Sequence, residues 1–427
     1  MSAAGPPQGA NWPPRGAAQR RQSQAWGGHA SSPVTIGIVA GEASGDALGA
    51  TLIEAVRLRC PAVSFAGIGG PKMHAAGCEI WAPLEQLAVR GFSEVIAHLP
   101  ALVALRRDIA RRFVAARVPV FVGVDAPDFN LGLERQLKRK RIRTVHFVSP
   151  SVWAWRRERL QSIGRAVDRM LALFPFEPPL YEAAGIAVSY VGHPLALQAA
   201  GAGARRAARE TLKQKPATPL FALLPGSRLS EIEMHGGLVL DAAARILEAR
   251  PDARFIVPLV SRTTRDAFLE ARHRGGHDAL PLTVLYGHAG DALRAADVGL
   301  VASGTATLEA ALARCPHVIF YRVSALTARI VRRKLLVPWV GLPNVLAGRF
   351  VVPELLQDDA TPGNLAQAAL NLFDDTVTRR RIETLFGKLR DALAVDTGAL
   401  AADAVLAELR LAHAAAGSRD AVRSAAC

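Results

Sequence analysis

Short apolar segments alternate with longer amphipathic segments from Val34 almost to the end of the chain. A parallel strand that is covered by helices on both faces is apolar along its whole length, so this alternation predicts parallel sheets with crossover helices. The expected strands are VTIGIVAG, VSFAGIGG, VPVFVGVDAP, IRTVHFVSP, VDRMLALFPF and VSYVGHP, followed by LFALLPGS, RFIVPLV, LTVLYG, VGLVASG and HVIFYRV.

The alternation stops once and restarts, which predicts two α/β domains in this chain of 427 residues. Residues 34–198 are expected to form the first domain and residues 219–395 the second, with a linker at 199–218. Residues 396–427 would add a C-terminal helix and tail. The predicted fold class is α/β, with two Rossmann-like doubly wound domains that face a central cleft, because open α/β sheets bind ligands outside the carboxyl ends of their strands.

Residues 1–33 carry no acidic residue and lack the apolar region of a secretory signal, so they are expected to be a disordered extension. A transit peptide has a similar arginine-rich composition and stays an alternative. No stretch approaches the ~18 consecutive apolar residues of a membrane-spanning helix, so membrane contact would be peripheral. The four cysteines lack CxxC spacing, which indicates neither a zinc site nor a disulfide framework and favours a reducing cytoplasm.

The formal charge of +15 favours an anionic partner, either nucleic acid, a phosphorylated small molecule or an anionic membrane. A non-catalytic nucleic-acid-binding protein is therefore one alternative. The chain lacks an RNP strand, a zinc finger and a helix-turn-helix, and its charge is spread over the predicted helices of two complete α/β domains. No nucleic-acid partner is expected.

Two short motifs in the second domain indicate a nucleotide-diphosphate site. PGSR at 225–228 follows the apolar run LFALL, and SGTATLE at 303–309 follows VGLVA. Where a buried strand turns into a helix, backbone N–H groups and the helix dipole bind phosphate. A carboxylate one helical turn later can accept both hydroxyls of a ribose. The residues expected to bind the nucleotide are Ser227, Ser303, Gly304, Thr305 and Glu309.

Each motif alone also fits an ordinary helix start, with a serine or threonine as the N-cap and the glutamate facing water. The presence of both motifs in one predicted domain favours the functional interpretation.

These motifs lie within longer stretches that resemble the lipid-A-disaccharide synthases, a family of inverting glycosyltransferases of the two-domain GT-B type. The resemblance extends over almost the whole chain after residue 33, in the order and spacing of the family. The matching stretches are VAGEASGD (39–46), FVGVDAPDFN (121–130), HFVSPSVWAWR (146–156), LLPGSR (223–228), PLV (258–260), LVASGTATLE (300–309) and GLPNVLAG (341–348).

The resemblance implies that the sugar of UDP-2,3-diacylglucosamine is joined to the 6-hydroxyl of 2,3-diacylglucosamine 1-phosphate. The products would be a β-1,6 disaccharide 1-phosphate and UDP, in lipid A (lipopolysaccharide) biosynthesis, with no metal and no other cofactor. The implied partners are these two substrates, an anionic membrane surface and a second copy of the chain in a homodimer. The implied location is the cytoplasm, at the inner face of the bacterial inner membrane.

An inverting transfer needs a base that takes the proton of the acceptor hydroxyl. Asp125, at the end of the strand VFVGV, is the first candidate for a catalytic base, and Asp128 is the second. Asp128 equally suits a helix N-cap.

A transfer without metal also needs cations and N–H donors at the departing diphosphate, and a guanidinium can pair with two phosphate oxygens at once. Arg228 is the catalytic candidate for this role, and a surface ion pair with Glu231 or Glu233 is the alternative. Asn344, in a proline-flanked loop, is a candidate contact to the donor, although a turn asparagine is nearly as good an explanation.

The first domain supplies candidates for acceptor binding. Residues 42–46 are expected to form a loop, with capping as the alternative for its serine and aspartate; its candidate residues are Glu42, Ser44, Gly45 and Asp46. Weaker candidates for the sugar pocket are Ser149, Ser151, Trp153 and Trp155, since aromatic residues are more often part of a core. His193 is expected to belong to a hinge.

Two basic and apolar segments predict peripheral membrane contact. The segment 95–118 interleaves apolar residues such as Leu99, Ile109 and Phe113 with five arginines, and the segment 326–340 repeats this composition near Trp339. Such a helix can lie in an anionic interface, but a core helix with a solvated arginine face has the same pattern.

The first alternative to the synthase interpretation is a UDP-N-acetylglucosamine 2-epimerase or another UDP-sugar transferase. Such enzymes share the nucleotide site and differ on the acceptor side. Residues 39–46, 121–130 and 146–156 carry this distinction, and there the resemblance to the synthases is good.

Overall fold

The computed structural model describes residues 34–87, 92–154, 158–198, 204–324 and 337–424. The predicted extension at 1–33 lies outside the described residues. The chain divides into two compact units, and each contains one sheet. The first unit runs to Pro194 and takes in the chain again from Leu393, and the second unit is Leu195–Ala392.

The first unit contains seven strands and the helices between them. The strands are β1 (Val34–Ala40), β2 (Val63–Gly69), β3 (Cys78–Pro83), β4 (Val120–Val124), β5 (Arg143–Phe147), β6 (Arg169–Ala172) and β7 (Ala187–Tyr190). The helices are α1 (Ala43–Arg59), α2 (Pro71–Ala75), α3 (Phe92–Ala115), α4 (Pro127–Arg139), α5 (Arg159–Ala166) and α6 (Pro178–Glu182), and a 3₁₀ turn spans Leu84–Gln86. Helix α7 (Pro194–Gln198) begins at the last residue of this unit and continues in the second unit.

The strands of the first unit pair in parallel in the order β3-β2-β1-β4-β5-β6-β7. Strand β4 is buried along its whole length, which is why its sequence VFVGV is apolar without alternation. The last helix of the chain, α16 (Thr397–Ser424), packs on α1 of this unit. Its buried Glu408 accepts hydrogen bonds from the guanidinium groups of Arg143 and Arg169 at 2.8 Å.

The second unit repeats the architecture with six strands. They are β8 (Leu220–Leu224), β9 (Arg254–Leu259), β10 (Leu282–Tyr286), β11 (Val298–Ala302), β12 (His317–Tyr321) and β13 (Glu354–Leu356), paired in parallel in the order β10-β9-β8-β11-β12-β13. The helices are α8 (Ala204–Thr211), α9 (Leu229–Ala249), α10 (Arg262–Arg274), α11 (Ala289–Ala295), α12 (Thr305–Leu312), α13 (Leu342–Ala347), α14 (Pro362–Asp374) and α15 (Thr376–Leu393), and a 3₁₀ turn spans Gln357–Asp359.

Helix α8 lies in the stretch that the sequence predicts as a linker, and it packs into the second unit. The guanidinium of the buried Arg209 donates hydrogen bonds to Ala295 O and to the Asp297 carboxylate, both at 2.8 Å. This contact explains how an Arg- and Ala-rich helix without a strand is fixed to the sheet.

Strand order places a topological switch point in each unit, where the connections leave the sheet in opposite directions. It falls between β1 and β4 in the first unit and between β8 and β11 in the second. Ligands of such sheets bind at the carboxyl ends of these strands. The segments that begin at Gly41, Asp125, Pro225 and Ser303 directly follow these four strands, so the predicted site residues of each unit lie at its switch point.

The described part of the predicted membrane segment 95–118 is a helix with a core face. Ile109 and Phe113 of α3 are buried, whereas Arg107 and Arg111 are exposed. From residue 99 onward the helix therefore fits the alternative of a core helix with a solvated arginine face, although Leu99 and Val114 are also exposed. Of the second segment, residues 326–336 lie outside the described residues. Within the described ranges, no helix is both long and apolar enough to cross a membrane.

Candidate active site

The turn after β4 holds Asp125 in a backbone conformation that non-glycine residues rarely adopt. Asp125 has φ 53° and Ala126 has φ 43°, so two consecutive residues are left-handed. The Asp125 N–H donates to Phe147 O at 2.8 Å, which fixes the turn to the end of β5. Gly41 makes room for it, because a Cβ there would lie 2.4 Å from the Cβ of Ala126. Strain of this kind is concentrated at functional sites.

A buried asparagine supports the Asp125 turn from below. The Asn130 amide donates to Asp125 O at 2.8 Å and lies 3.3 Å from Val39 O, so it links the turn to the carboxyl end of β1. One helical turn further, Glu134 and His146 form a fully buried pair at 2.7 Å. Burial raises the pKa of Glu134, and the neighbouring His146 opposes that shift. Asn130, Glu134 and His146 were not predicted to be functional from the sequence.

A cavity of about 320 Å³ opens beside this turn, between the ends of β4 and β5. Val148, another lining residue, has φ 84°, which is a true outlier for a β-branched residue. The cavity is lined by Asp125, Pro127, Asp128, Val148, Ser149, Pro150, Ser151, Val152 and Arg159. Four residues that were candidates from the sequence therefore line one cavity: Asp125, Asp128, Ser149 and Ser151.

Asp128 differs from Asp125 in its surroundings. The helix begins at Pro127 with Ala126 at the N-cap, so Asp128 is not the N-cap residue. Its carboxylate is 88% exposed and pairs with the guanidinium of Arg159 at 2.7 Å. In the described part of the chain, no hydrogen bond or ion pair engages the carboxylate of Asp125.

The wall behind the serines is a buried polar network. Ser149 Oγ lies 2.7 Å from the hydroxyl of Tyr181. Burial raises the pKa of Glu177 to about 8, although its carboxylate accepts a hydrogen bond from Phe174 N–H at 3.0 Å. Trp153 packs edge-on against Phe176 at 5.3 Å between ring centroids and does not line the cavity. Trp155 lies outside the described residues.

The predicted loop at 42–46 is instead the start of a helix. Glu42 is the N-cap of α1, and the residues from Ala43 onward form its first turn. Glu42, at the N-cap, and Ser44 are exposed. Gly45 is buried against the Asp125 turn, since a Cβ on it would lie 3.7 Å from the Cβ of Asp125.

Asp46 is buried, and its carboxylate holds the start of α2. It accepts hydrogen bonds from the N–H groups of Gly70 and Met73 on one oxygen and of Lys72 on the other, at 2.8–3.0 Å. This capping role is the alternative that the sequence left open for Asp46, and its contact with substrate stays a prediction. This cap could not be predicted from the sequence, because 24 or more residues separate Asp46 from the N–H groups that it binds.

The PGSR turn at the end of β8 is organised by Glu231. The Glu231 carboxylate accepts hydrogen bonds from the N–H groups of Ser227 (2.8 Å) and Arg228 (3.2 Å). It also pairs with the exposed guanidinium of Arg228 at 3.3 Å, as the alternative interpretation of the sequence expected. These two N–H groups therefore have a partner already, and the groups that the turn presents to solvent are the side chains of Ser227 and Arg228.

A buried histidine ties the same turn to the end of β12. His235 lies one helical turn after Glu231, and its Nδ1 is 2.8 Å from Pro225 O. Its Nε2 accepts a hydrogen bond from Arg322 N–H at 3.1 Å. The same Nε2 also lies 3.2 Å from Arg322 O. This residue was not predicted to be functional from the sequence.

The SGT turn at the end of β11 matches the predicted phosphate-binding geometry more closely. Gly304, with φ 146°, is the N-cap of α12, and nothing lies within 4 Å of where its Cβ would be. Thr305 begins the helix and is exposed, as is Gly304. Glu309 follows one turn later, and burial raises the pKa of its carboxyl group. Ser303 is half-buried and its N–H donates to Phe320 O, which leaves its hydroxyl for a ligand.

Asn344 has a structural role. It lies in α13 rather than in a loop, it is buried, and its amide donates to Val352 O (2.9 Å) and Glu354 (2.8 Å). Its carbonyl oxygen accepts hydrogen bonds from Val351 and Val352 N–H. All of its hydrogen-bonding groups are engaged within the protein, and the predicted contact with the donor stays a prediction.

In the described part of the chain, no three side chains of His, Cys, Asp or Glu come together in a way that could hold a metal ion. The three described cysteines, Cys60, Cys78 and Cys315, are buried and free.

Both sheets have the Rossmann strand order, and solved structures share this fold. Acinetobacter baumannii MurG matches with a TM-score of 0.53 at 15% identity, over 87% of this chain and 98% of that chain. The UDP-GlcNAc 2-epimerase of Neisseria meningitidis bound to UDP-GlcNAc matches with a TM-score of 0.55 at 9% identity, over 88% and 99%. At such identities the similarity shows the fold alone. The fold is that of the GT-B glycosyltransferases, which confirms the predicted fold class.

The sequence comparisons decide between members of this fold. Residues 36–404 match the family model described as lipid-A-disaccharide synthetase. The lipid-A-disaccharide synthase of Chromobacterium violaceum is 52% identical over 371 residues, which cover 87% of this chain and 96% of that protein. The chain therefore belongs to the lipid-A-disaccharide synthase family. It is a glycosyltransferase of lipid A disaccharide synthesis, and the family resemblance found in the sequence is confirmed; the epimerase alternative is not favoured.

Proposed function

We propose that this enzyme transfers the sugar of UDP-2,3-diacylglucosamine to the 6-hydroxyl of 2,3-diacylglucosamine 1-phosphate. A bond forms between O6 of the acceptor and C1 of the donor, the bond from C1 to the diphosphate breaks, and UDP leaves. The acceptor hydroxyl loses its proton to an enzymic base. The observation that carries the proposal is the carboxylate of Asp125, held on a strained turn at a cavity in a chain of this family.

Asp125 is the proposed base. The Asp128 carboxylate is engaged by the guanidinium of Arg159, whereas the Asp125 carboxylate has no such partner in the described part of the chain and can face the acceptor hydroxyl. The left-handed turn fixes the direction of the Asp125 side chain, and fixed orientation is part of what a catalytic base contributes.

The second unit is proposed to bind UDP. Glu309 would accept the ribose hydroxyls, and the Gly304 turn with Ser303 and Thr305 would receive the diphosphate at the start of α12. Arg228 and Ser227 would stabilise the charge of the departing phosphate, with Arg228 exchanging its Glu231 partner for phosphate oxygens. Glu42 and Ser44, both exposed beside the Asp125 turn, are proposed to contact the acceptor.

The enzyme is further proposed to act as a homodimer at the cytoplasmic face of the inner membrane, attached peripherally. The support for membrane attachment is that the described part of α3 exposes arginines, such as Arg107 and Arg111, together with apolar residues such as Leu99. Basic and apolar side chains on one helix favour an anionic lipid surface.

The test is UDP release by the purified protein in EDTA, with donor alone and with donor plus acceptor. We expect release that depends on the acceptor, and a fall in kcat of about 10²- to 10⁴-fold in Asp125→Asn, because a general base contributes that much. Asp128→Asn is the matched variant and should lose much less. If Asp128→Asn were inactive and Asp125→Asn active, the base assignment would be reversed; no release with any acylated donor would exclude the proposed reaction.

A further inference from the structure

Arg159 is the cation of the cavity beside Asp125. It is the one positively charged residue among the described residues that line this cavity, and it shares the lining with the exposed Ser151. Its side chain is three-quarters buried at the start of α5, so its position is constrained by packing. The cavity therefore combines a fixed guanidinium, the hydroxyl of Ser151 and the carboxylate of Asp125.

The present partner of Arg159 is easily exchanged. The guanidinium donates to Asp128 Oδ1 at 2.7 Å, but Asp128 is 88% exposed and stands in the first turn of α4. An ion pair with so exposed a carboxylate contributes little stability, because water competes for both charges. A guanidinium has five N–H donors in a planar fork. In the described part of the chain, the contact to Asp128 engages one nitrogen of the Arg159 guanidinium.

The charges of the two substrates differ in kind. The donor carries a diphosphate, for which the second unit has its own candidate residues. The acceptor carries a phosphate monoester, which has a charge of about −1.5 to −2 at neutral pH and three strong acceptor oxygens. A dianion of this kind pairs more strongly with a guanidinium fork than a solvated carboxylate does, and hydroxyl groups can donate to its remaining oxygens.

We propose that Arg159 binds the phosphate monoester of the acceptor, and that Asp128 holds the guanidinium in position until the phosphate replaces it. This inference rests on the proposed function, because it takes the acceptor from that reaction. Arg159 then determines acceptor specificity, and Asp128 acts as its exchangeable partner rather than as a second base.

The inference is tested by removing the charge from the enzyme and from the substrate in turn. UDP release is measured at saturating donor, with 2,3-diacylglucosamine 1-phosphate and with the same acceptor lacking the phosphate. In the wild type we expect the loss of phosphate to lower kcat/KM for the acceptor by about 10- to 100-fold, the range for a charged hydrogen bond. In Arg159→Gln the two acceptors should differ by less than about threefold, and the KM for the donor should not change.

Two further variants keep the test decisive. Arg165→Gln removes a charge from the exposed face of the same helix and should discriminate between the acceptors as the wild type does. Arg159→Lys keeps the charge but not the fork, so it should discriminate less than the wild type; it also serves if Arg159→Gln does not fold.

The outcomes separate the two levels of the proposal. If the wild type is active but Arg159→Gln loses the same factor with both acceptors, or loses affinity for the donor instead, the Arg159 assignment is wrong while the proposed reaction stands. If the wild type does not distinguish the two acceptors, the assignment is also wrong. If the wild type releases no UDP with either acceptor, the proposed function and this inference both fail.

Discussion

The turns at the switch points of the two units have different residues at their left-handed positions. In the second unit these positions are glycines, Gly226 (φ 138°) and Gly304 (φ 146°), which adopt such angles without a steric penalty. In the first unit they are Asp125 and Ala126. A turn that presents backbone to a phosphate needs no side chain, whereas a turn that presents a carboxylate cannot use glycine. The contrast indicates which unit supplies the reactive side chain.

Both turns are held by the helix that follows them, but the supporting side chains differ in burial. The N–H groups of the PGSR turn bond to the half-buried carboxylate of Glu231, and Pro225 O contacts the buried His235. The Asp125 turn is held by the fully buried Asn130, above the buried pair of Glu134 and His146. Strained residues persist only where the surrounding structure determines their conformation strongly, and a buried polar group does this because its partners cannot be replaced by water.

The support under the Asp125 turn gives the largest predicted effect on stability. Asn130→Ala removes the donor to Asp125 O and leaves buried carbonyls without a partner, so we expect a loss of about 2–4 kcal/mol in the free energy of unfolding. The residual folded enzyme should also lose kcat, because the direction of Asp125 is no longer fixed. Urea denaturation and UDP release measure the two effects.

The control for this prediction is Asn364→Ala, which changes an exposed asparagine of the second unit and should cost less than about 0.5 kcal/mol. If Asn130→Ala were as stable as the control, the Asp125 turn would not depend on buried support, and the contrast between the two turns would be lost.

The fold could be predicted from the sequence wherever strands are covered on both faces. All eleven strands expected from apolar runs are present, but β3 and β13 were missed. Both are edge strands with partly exposed side chains, so their sequences CEIWAP and ELL do not form continuous apolar runs. A strand of three residues also gives no period to detect.

The position of Asp125 at a strand end could be predicted, but its environment could not. The αL conformation of Asp125 and Ala126 arises from tertiary contacts, such as the close approach of Gly41, that sequence spacing does not encode. The same limit applies to Asp46 and Asn344: a polar residue in a matching motif has the same letters whether it faces a ligand or a buried N–H group. The N–H groups that these side chains accept from are visible only in the structure.

The buried carboxyl behind the cavity predicts a pH dependence that is specific to the first unit. Burial raises the pKa of Glu177 from 4.5 to about 8, so the folded protein keeps this proton through a range in which the unfolded chain has lost it. Stability should therefore fall as the pH rises from about 4.5 to about 8. Glu177→Gln imitates the protonated form, and we expect it to be more stable than the wild type at pH 8 by on the order of 2 kcal/mol.

The measurement is urea denaturation of both proteins between pH 5 and pH 8.5, with Glu182→Gln, an exposed residue at the end of the helix that Glu177 caps, as the matched control. The difference between Glu177→Gln and the wild type should grow with pH, whereas the control should follow the wild type. A difference that does not depend on pH would show that Glu177 is already ionised in the folded protein at pH 5, and the raised pKa would be wrong.

The smallest effect comes from exchanging the turn chemistry of the two units. Ala126→Gly relieves a left-handed alanine, and after the greater chain entropy of unfolded glycine is subtracted we expect a gain of about 0.5–1 kcal/mol in stability. Gly304→Ala forces a glycine-only conformation on alanine and should cost about 1–2 kcal/mol, although its Cβ would meet no neighbour within 4 Å. The opposite signs follow from one cause, the penalty that a Cβ carries at these backbone angles.

Activity should separate from stability in the first variant. The more stable Ala126→Gly should have a lower kcat with an unchanged KM for the donor, because a relaxed turn holds the Asp125 carboxylate less firmly. Thermal unfolding and UDP release by the same preparations test this. If Ala126→Gly were both more stable and fully active, the strain at the first turn would have no part in positioning the base, and the difference between the two turns would concern folding alone.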